Sequence, residues 1–251
     1  MSTAGRGRVR VAPGAKRVRA YLGGQVVADT VHPLLVWEVP YYPTYYFPRA
    51  DVVTALLTPS GNTVRSPSRG EGVLATISAG GAEAVDAALE YPDSPIPELR
   101  GHIRLEFAAM DAWFEENEEI FTHPRDPGVR VDILPSSRHV RIEVGGVTVA
   151  NTMRPSLLFE TGLPTRYYLP RTDIRLDLLE HTETVTHCPY KGAAEYWSVR
   201  AGGELHTDLA WSYPAPLPES ARIAGLIAFT DERVDVYVDG VLQERPKTKF
   251  G

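Results

Sequence analysis

The sequence predicts a mostly β protein made of two tandem small domains of antiparallel sheet. Three observations predict it. Residues 18–92 and 140–214 match at a constant offset of 122 with no gap, and about a third of the positions are identical. The 21 prolines and 21 glycines are spread through both copies, which leaves little room for long helices. Between them lie short apolar segments bounded by turn residues, alternating with polar positions in places, as strands do.

Taken in order, residues 1–16 carry Gly, Ala, Pro and Arg without periodicity and read as a disordered basic leader. The first repeat follows at 17–121. A Pro/Gly-rich linker is expected at 122–135, and the second repeat at 136–251. In the second repeat, 139–144 and 147–151 flank Gly145-Gly146, a hairpin signal that Gly23-Gly24 repeats in the first. Further strands are expected at 157–160, 166–169, 184–187, 195–200 and 223–230. The last hairpin is the clearest. Val234, Val236 and Val238 alternate with Asp235 and Tyr237, and Asp239-Gly240 turns the chain into Val241-Leu242. The matching stretch of the first repeat, 108–120, has the composition of a helix. A two-residue slip lays Gly101 on Gly225, Asp111 on Asp235 and Trp113 on Tyr237, so a hairpin is expected there as well.

The 43% apolar and 23% charged residues are those of a soluble globular protein, and 251 residues accommodate two cores. No apolar run approaches the ~20 residues of a membrane span. The N-terminus lacks the apolar stretch of a secretory signal, so a cytoplasmic location without membrane attachment is expected. The one cysteine, Cys188, excludes an internal disulfide and a cysteine-based zinc site within one chain. Net charge is −6; the basic cluster Arg6, Arg8, Arg10, Lys16, Arg17 and Arg19 is confined to the front and reads as a solvated tail, not a nucleic-acid footprint.

The repeat also serves as an internal alignment. Thr186-His187-Cys188-Pro189-Tyr190-Lys191-Gly192 falls on Val64-Arg65-Ser66-Pro67-Ser68-Arg69-Gly70. Proline and glycine survive in both, while the reactive side chains occur only in the second. A cysteine three residues from a lysine across a turn has an ammonium nearby to favour its thiolate. Lys191 offers an alternative as a Schiff-base amine or a clamp, and a purely structural turn is the third reading. His187 is adjacent, but successive strand side chains point to opposite faces.

Tyr196, Trp197 and Trp211 add aromatic mass found only in the second repeat, which suits a pocket and a core equally well. Glu38 and Glu160 each close an apolar strand. They are read either as framework partners of Arg49 and Arg171 or as a general acid/base beside the cysteine turn. The shared Tyr-Tyr-x-Pro-Arg-x-Asp segment reads as an Arg–Asp pair in a turn. The run Glu115-Glu116-Asn117-Glu118-Glu119 suggests a metal site at first glance and a solvated turn on reflection. No phosphate-cradling glycine loop and no close aspartate pair for magnesium is present, so no metal or nucleotide cofactor is expected.

The Gly-Gly hairpin, Tyr-Tyr-x-Pro-x-x-Asp, His-Cys-Pro-Tyr-Lys-Gly, Tyr-Trp-Ser-Val and Ala-Trp-Ser-Tyr-Pro segments resemble the family called domain of unknown function 427. The resemblance is strong from Arg138 to about Asp239 and looser from Arg17 to about Ile120. It implies a small β domain of coiled, tent-like sheets, similar in shape to zinc-binding and methionine-sulfoxide-reducing domains but without their metal cysteines. A nucleotidyltransferase-like label sometimes attached to the family has no support in these residues. The family's acidic aromatic tail is approximated by Met110–Glu118 of the first repeat, whereas the second has the Cys-Lys turn and another tail. A composite site between the repeats, with an interface within the chain, is therefore expected.

The function read from the sequence is a cofactor-independent small-molecule enzyme, using acyl or carbonyl chemistry. Its catalytic groups would be Cys188, Lys191, His187 and Glu160, and its substrate contacts Tyr190, Trp197, Trp211, Tyr168, Arg171 and Trp113. The alternative is a non-catalytic ligand-binding or interaction module whose Cys-Lys turn is structural.

Overall fold

A computed structural model describes residues 9–248. The chain divides into two compact units, one running to Asp126 and the other starting at Pro127. Among the described residues each has eleven strands, and the nth strand of the first corresponds to the nth of the second.

The first unit opens with β1 (Arg10–Pro13), β2 (Val18–Leu22), β3 (Gln25–Thr30), β4 (Leu34–Val39) and β5 (Tyr42–Pro48). It continues with β6 (Leu57–Ser66), β7 (Gly70–Ala79), β8 (Ala82–Glu90), β9 (His102–Leu105), β10 (Ala112–Glu115) and β11 (Glu118–Ile120). The second has β12 (Val131–Pro135), β13 (Val140–Val144), β14 (Val147–Thr152), β15 (Ser156–Glu160) and β16 (Arg166–Tyr168). There follow β17 (Leu179–Cys188), β18 (Gly192–Ala201), β19 (Glu204–Ser212), β20 (Ile227–Phe229), β21 (Asp235–Val238) and β22 (Val241–Leu242). Among the described residues every helical segment is a short 3₁₀ turn, and no helix is long and apolar enough to cross a membrane.

All strand ladders are antiparallel. In the first unit a seven-stranded sheet runs β1-β4-β5-β9-β8-β7-β6, and a four-stranded sheet runs β11-β10-β2-β3. The second repeats this order, except that the long sheet is split between β16 and β20, where the single bridge Leu169–Ile227 replaces a ladder. The alternation read from the sequence sets the inward faces. Val18, Ala20 and Leu22 of β2 are buried and the residues between them half-exposed, and Val140, Ile142 and Val144 of β13 repeat the pattern. Each unit has a main core and a smaller second cluster around one buried tyrosine pair, Tyr46/Tyr91 and Tyr168/Tyr213.

The glycine doublets serve two purposes. They give the positive φ that tight hairpins require, and they let two hairpin tips touch. A Cβ on Gly80 would sit 1.9 Å from the carbonyl oxygen of Gly23, and one on Gly202 2.9 Å from that of Gly145. A side chain at either place collides with backbone.

Several expectations change. The leader and linker readings are corrected where β1 and β12 form: both pair antiparallel with the apolar strands β4 and β15, so the repeat starts about eight residues earlier than the identities suggest. Residues 1–8 of the expected leader lie outside the described residues. The strand expected at 223–230 is limited to β20, since Pro218–Ile223 forms a 3₁₀ turn. The hairpin expected at 108–120 forms as β10 and β11, but its alignment shifts by one. Trp113 pairs with Ala20 and Val236 with Ile142, the counterpart of Ala20, so Trp113 matches Val236. Phe114 then matches Tyr237, and each lies under an arginine, Arg19 or Arg141.

Candidate functional site

The Cys-Lys turn closes the β17–β18 hairpin. Cys188 faces Gly192 across the ladder, and the Lys191 amide donates to the Cys188 carbonyl at 3.3 Å. Gly192 supplies the φ of +98° on which the turn depends, as Gly70 does in the first repeat. Cys188 is partly buried against the second cluster, with Tyr168, Tyr213, Ala194 and Ile223.

Lys191 reaches the carboxylate of Glu160 on β15, Nζ to Oε2 at 2.5 Å, with both side chains about nine-tenths buried. Tyr168 accepts a hydrogen bond from the Trp211 indole N–H at 3.1 Å. Burial holds the Tyr168 phenol far above its ordinary range. The Trp211 hydrogen bond opposes that shift, and Cys188 and Glu160 add to it. Burial raises Tyr213 in the same way, with Tyr168 and Cys188 adding. The fold thus brings together Cys188, Lys191, Glu160, Tyr168 and Trp211.

Other expected members lie elsewhere. Trp197, next to Tyr196 on β18, points to the opposite face and into the main core, with the Arg171 guanidinium 5.2 Å over its ring. His187 is exposed and sits opposite Ala193, consistent with strand alternation. Tyr190 is buried in the turn, and its carbonyl accepts from the Ser220 hydroxyl. Trp113 is buried within its own repeat, stacked 4.9 Å from Phe107 and donating to the Phe107 carbonyl at 3.0 Å. Glu115 accepts from the Tyr45 hydroxyl at 2.8 Å and pairs with Lys16, and Glu116 accepts from the Arg17 amide. The acidic aromatic tail is therefore engaged within the first repeat.

The framework pairs also differ from those read in the sequence. Glu38 takes Arg69 and Arg104 as ionic partners and accepts from the Tyr46 hydroxyl; Arg49 turns to Glu90. The expected Arg–Asp turn pair is replaced by a hydroxyl bond: Thr30 donates to Asp51, and Thr152 to Asp173, each at 2.6 Å. The pairing of Glu38 with Arg69 bears most on the site. Those positions are the counterparts of Glu160 and Lys191, so the first repeat sets a guanidinium opposite the same glutamate, at 3.9 Å and with its Nε–H donating to the Tyr91 hydroxyl.

Each repeat also has a cleft, and the sequence reading missed both. In the first repeat it measures about 500 Å³ and lies between the start of β5, the β9–β10 connection and the segment after β11. Its walls include Tyr42, Thr44, Tyr45, Phe107, Trp113 and Phe121, with Glu38, Arg104 and Glu106 at one end. In the second repeat the cleft measures about 180 Å³ and is lined by Pro164, Thr165, Tyr167, Asp231, Val236 and Arg245 among others. Cys188, Lys191 and Glu160 line neither.

A sequence profile described as a domain of unknown function (DUF427) matches residues 10–116 and again 132–240. The chain belongs to the DUF427 family, in two tandem copies. No curated protein matches it. The matched stretches begin on β1 and next to the start of β12, so the DUF427 unit includes the strands that the sequence reading had assigned to leader and linker. The offset between copies is 122 at the start of the match and 124 at its end. The Phe47–Ile103 pairing and its counterpart Leu169–Ile227 locate the two-residue slip before β9 and β20.

Proposed function

We propose that this tandem DUF427 protein is a non-catalytic small-molecule-binding module whose Cys-Lys turn is framework. One observation carries the reading. The first repeat keeps a cation opposite the same glutamate, Arg69 at 3.9 Å from Glu38 where Lys191 is 2.5 Å from Glu160, with the same turn proline and glycine and with serine at the cysteine position. A guanidinium forms no Schiff base, and an ammonium donating to a buried carboxylate at 2.5 Å offers no lone pair for one. What both copies keep at these two positions is charge and reach, which tie the turn to β4 or β15.

The test is alkylation of Cys188, the one thiol in the chain. Framework predicts that iodoacetamide modifies it no faster than free cysteine at pH 7, and that Cys188→Ser leaves ligand binding intact. A thiol alkylated well above the free-cysteine rate, together with an acyl-transfer activity lost in Cys188→Ser, would establish the enzyme instead.

A further inference from the structure

We propose that the first repeat's cleft is the ligand site, and that it takes a planar aromatic compound carrying an amine cation. The inference rests on the reading of the protein as a small-molecule binder and adds where and what it binds.

The two clefts are the same place in the two copies. With the slip located, Thr44 corresponds to Arg166, Phe107 to Asp231 and Ala108 to Glu232, and one residue of the slip is recovered by β10, where the ladders to β2 and β13 match Trp113 to Val236. Backbone bonds support this register: Ala109 N–H to Glu106 carbonyl in one copy is Arg233 N–H to Thr230 carbonyl in the other. The second copy fills the space with charge. Arg166 grips Glu232 with two hydrogen bonds at 2.9 and 2.5 Å and lies 3.3 Å from Asp231. Thr44 and Ala108 are too short to make such a pair. The cleft is accordingly wider, about 500 Å³ against about 180 Å³. Only the larger volume falls within the ordinary range of small-ligand pockets.

The chemistry of the open cleft selects the ligand. Its lining is aromatic, with Phe107 stacked on Trp113, Tyr42 stacked on His123 and Tyr45 and Phe121 beside them, which suits a flat ring system. At one end Glu38 and Glu106 flank the Arg104 guanidinium, and Glu38 also faces Arg69, so the buried charges balance and Glu106 is the carboxylate at the solvent edge. The Glu106 side chain is 47% exposed, within reach of a ligand cation. A half-exposed carboxylate and electron-rich ring faces both favour a positive charge.

The experiment titrates the full chain calorimetrically with tryptamine, indole and indole-3-acetate. Tryptamine is expected to bind about tenfold tighter than indole, the equivalent of one charge-assisted contact, and indole-3-acetate more weakly than both. Installing the second copy's pair, Thr44→Arg with Ala108→Glu, is expected to abolish tryptamine binding while the melting temperature is retained. Glu106→Gln, at a half-exposed position, provides a second variant that is expected to weaken tryptamine severalfold and leave indole unchanged. Indole-3-acetate binding tighter than tryptamine would overturn the cationic class but leave a small-molecule binder. Tryptamine binding untouched by both variants would overturn the cleft, and no binding of any probe would overturn the ligand class. The framework reading of the Cys-Lys turn is decided separately, by the alkylation of Cys188.

Discussion

Replacing Lys191 by Met isolates what the Glu160–Lys191 pair contributes. Methionine is nearly as long and apolar as the lysine stem, so packing against the second cluster is largely retained and the main loss is the ammonium. Glu160 is then left as a carboxylate 9% exposed, without the partner that lies at 2.5 Å in the native chain. Removing one member of a buried ion pair costs about 3–5 kcal/mol, and the residual exposure of this pair places the expected loss near 3 kcal/mol. For a unit of this size each kcal/mol lowers the melting temperature by about 4 °C, so a fall of about 12 °C is expected in the second repeat's transition. Lys191→Arg should change stability by less than about 1 kcal/mol, because Arg69 already fills that role in the first repeat. Pairing Lys191→Met with Glu160→Gln removes the stranded charge, and the double-mutant cycle should return a coupling of at least about 1.5 kcal/mol. Urea unfolding followed by tryptophan fluorescence measures all four proteins. A Lys191→Met change under about 1 kcal/mol, or a cycle without coupling, would refute the framework argument.

Gly80→Ala is expected to destabilise the first repeat by at least about 3 kcal/mol, because its φ is +55° and its Cβ would meet the Gly23 carbonyl. Gly81→Ala also falls at a positive φ, +82°, but with open space around the Cβ, so a loss of about 1–2 kcal/mol in the same melt is expected. Burial pushes the Asp231 carboxyl up to about 7, against the lowering effect of the Arg166 guanidinium 3.3 Å away, which Asp231 shares with Glu232. The folded chain therefore holds a proton that the unfolded one releases between about pH 4 and 7. Stability should fall as pH rises through that window, by at most about 1.4 kcal/mol per pH unit, and Asp231→Asn should flatten the slope. Burial alone would raise Glu232, but hydrogen bonds from Arg166 and Thr248 hold it down to about 2. Its contribution is present above about pH 4.5 and lost between there and about pH 2, so Glu232→Gln should reduce acid sensitivity in a pH-dependent melt. Trp113→Ala removes a core ring stacked on Phe107 and should cost about 3–5 kcal/mol in the first repeat.

The sequence by itself determined the duplication, the mostly β class and the hairpins. Gly-Gly doublets and alternating valines are local signals, and strand periodicity and turn chemistry act within a few residues of themselves. That local logic also recovered the β10–β11 hairpin from a stretch with helical composition, because its better-patterned mate stood beside it. It failed at β1 and β12, whose few residues become strands through pairing with β4 and β15. It also could not see which residues share a face of the folded sheet. Cys188, Lys191, Glu160, Tyr168 and Trp211 do meet, while Trp197 and Arg171, equally prominent in the alignment, belong to the other side of β18.

What only the tertiary structure decided is the meaning of the asymmetry between the copies. Position by position, Lys against Arg at 191 and 69 looks like a reactive group gained or lost. With Glu160 and Glu38 in place, 31 residues away in each copy, it is a cation facing the same glutamate in both, closely in the second and at 3.9 Å in the first. The substitutions that change the space available, Thr44 against Arg166 and Ala108 against Glu232, are unremarkable in sequence. They become significant because β5 and the β9–β10 connection meet at one cleft, which an arginine and a glutamate close and a threonine and an alanine leave open.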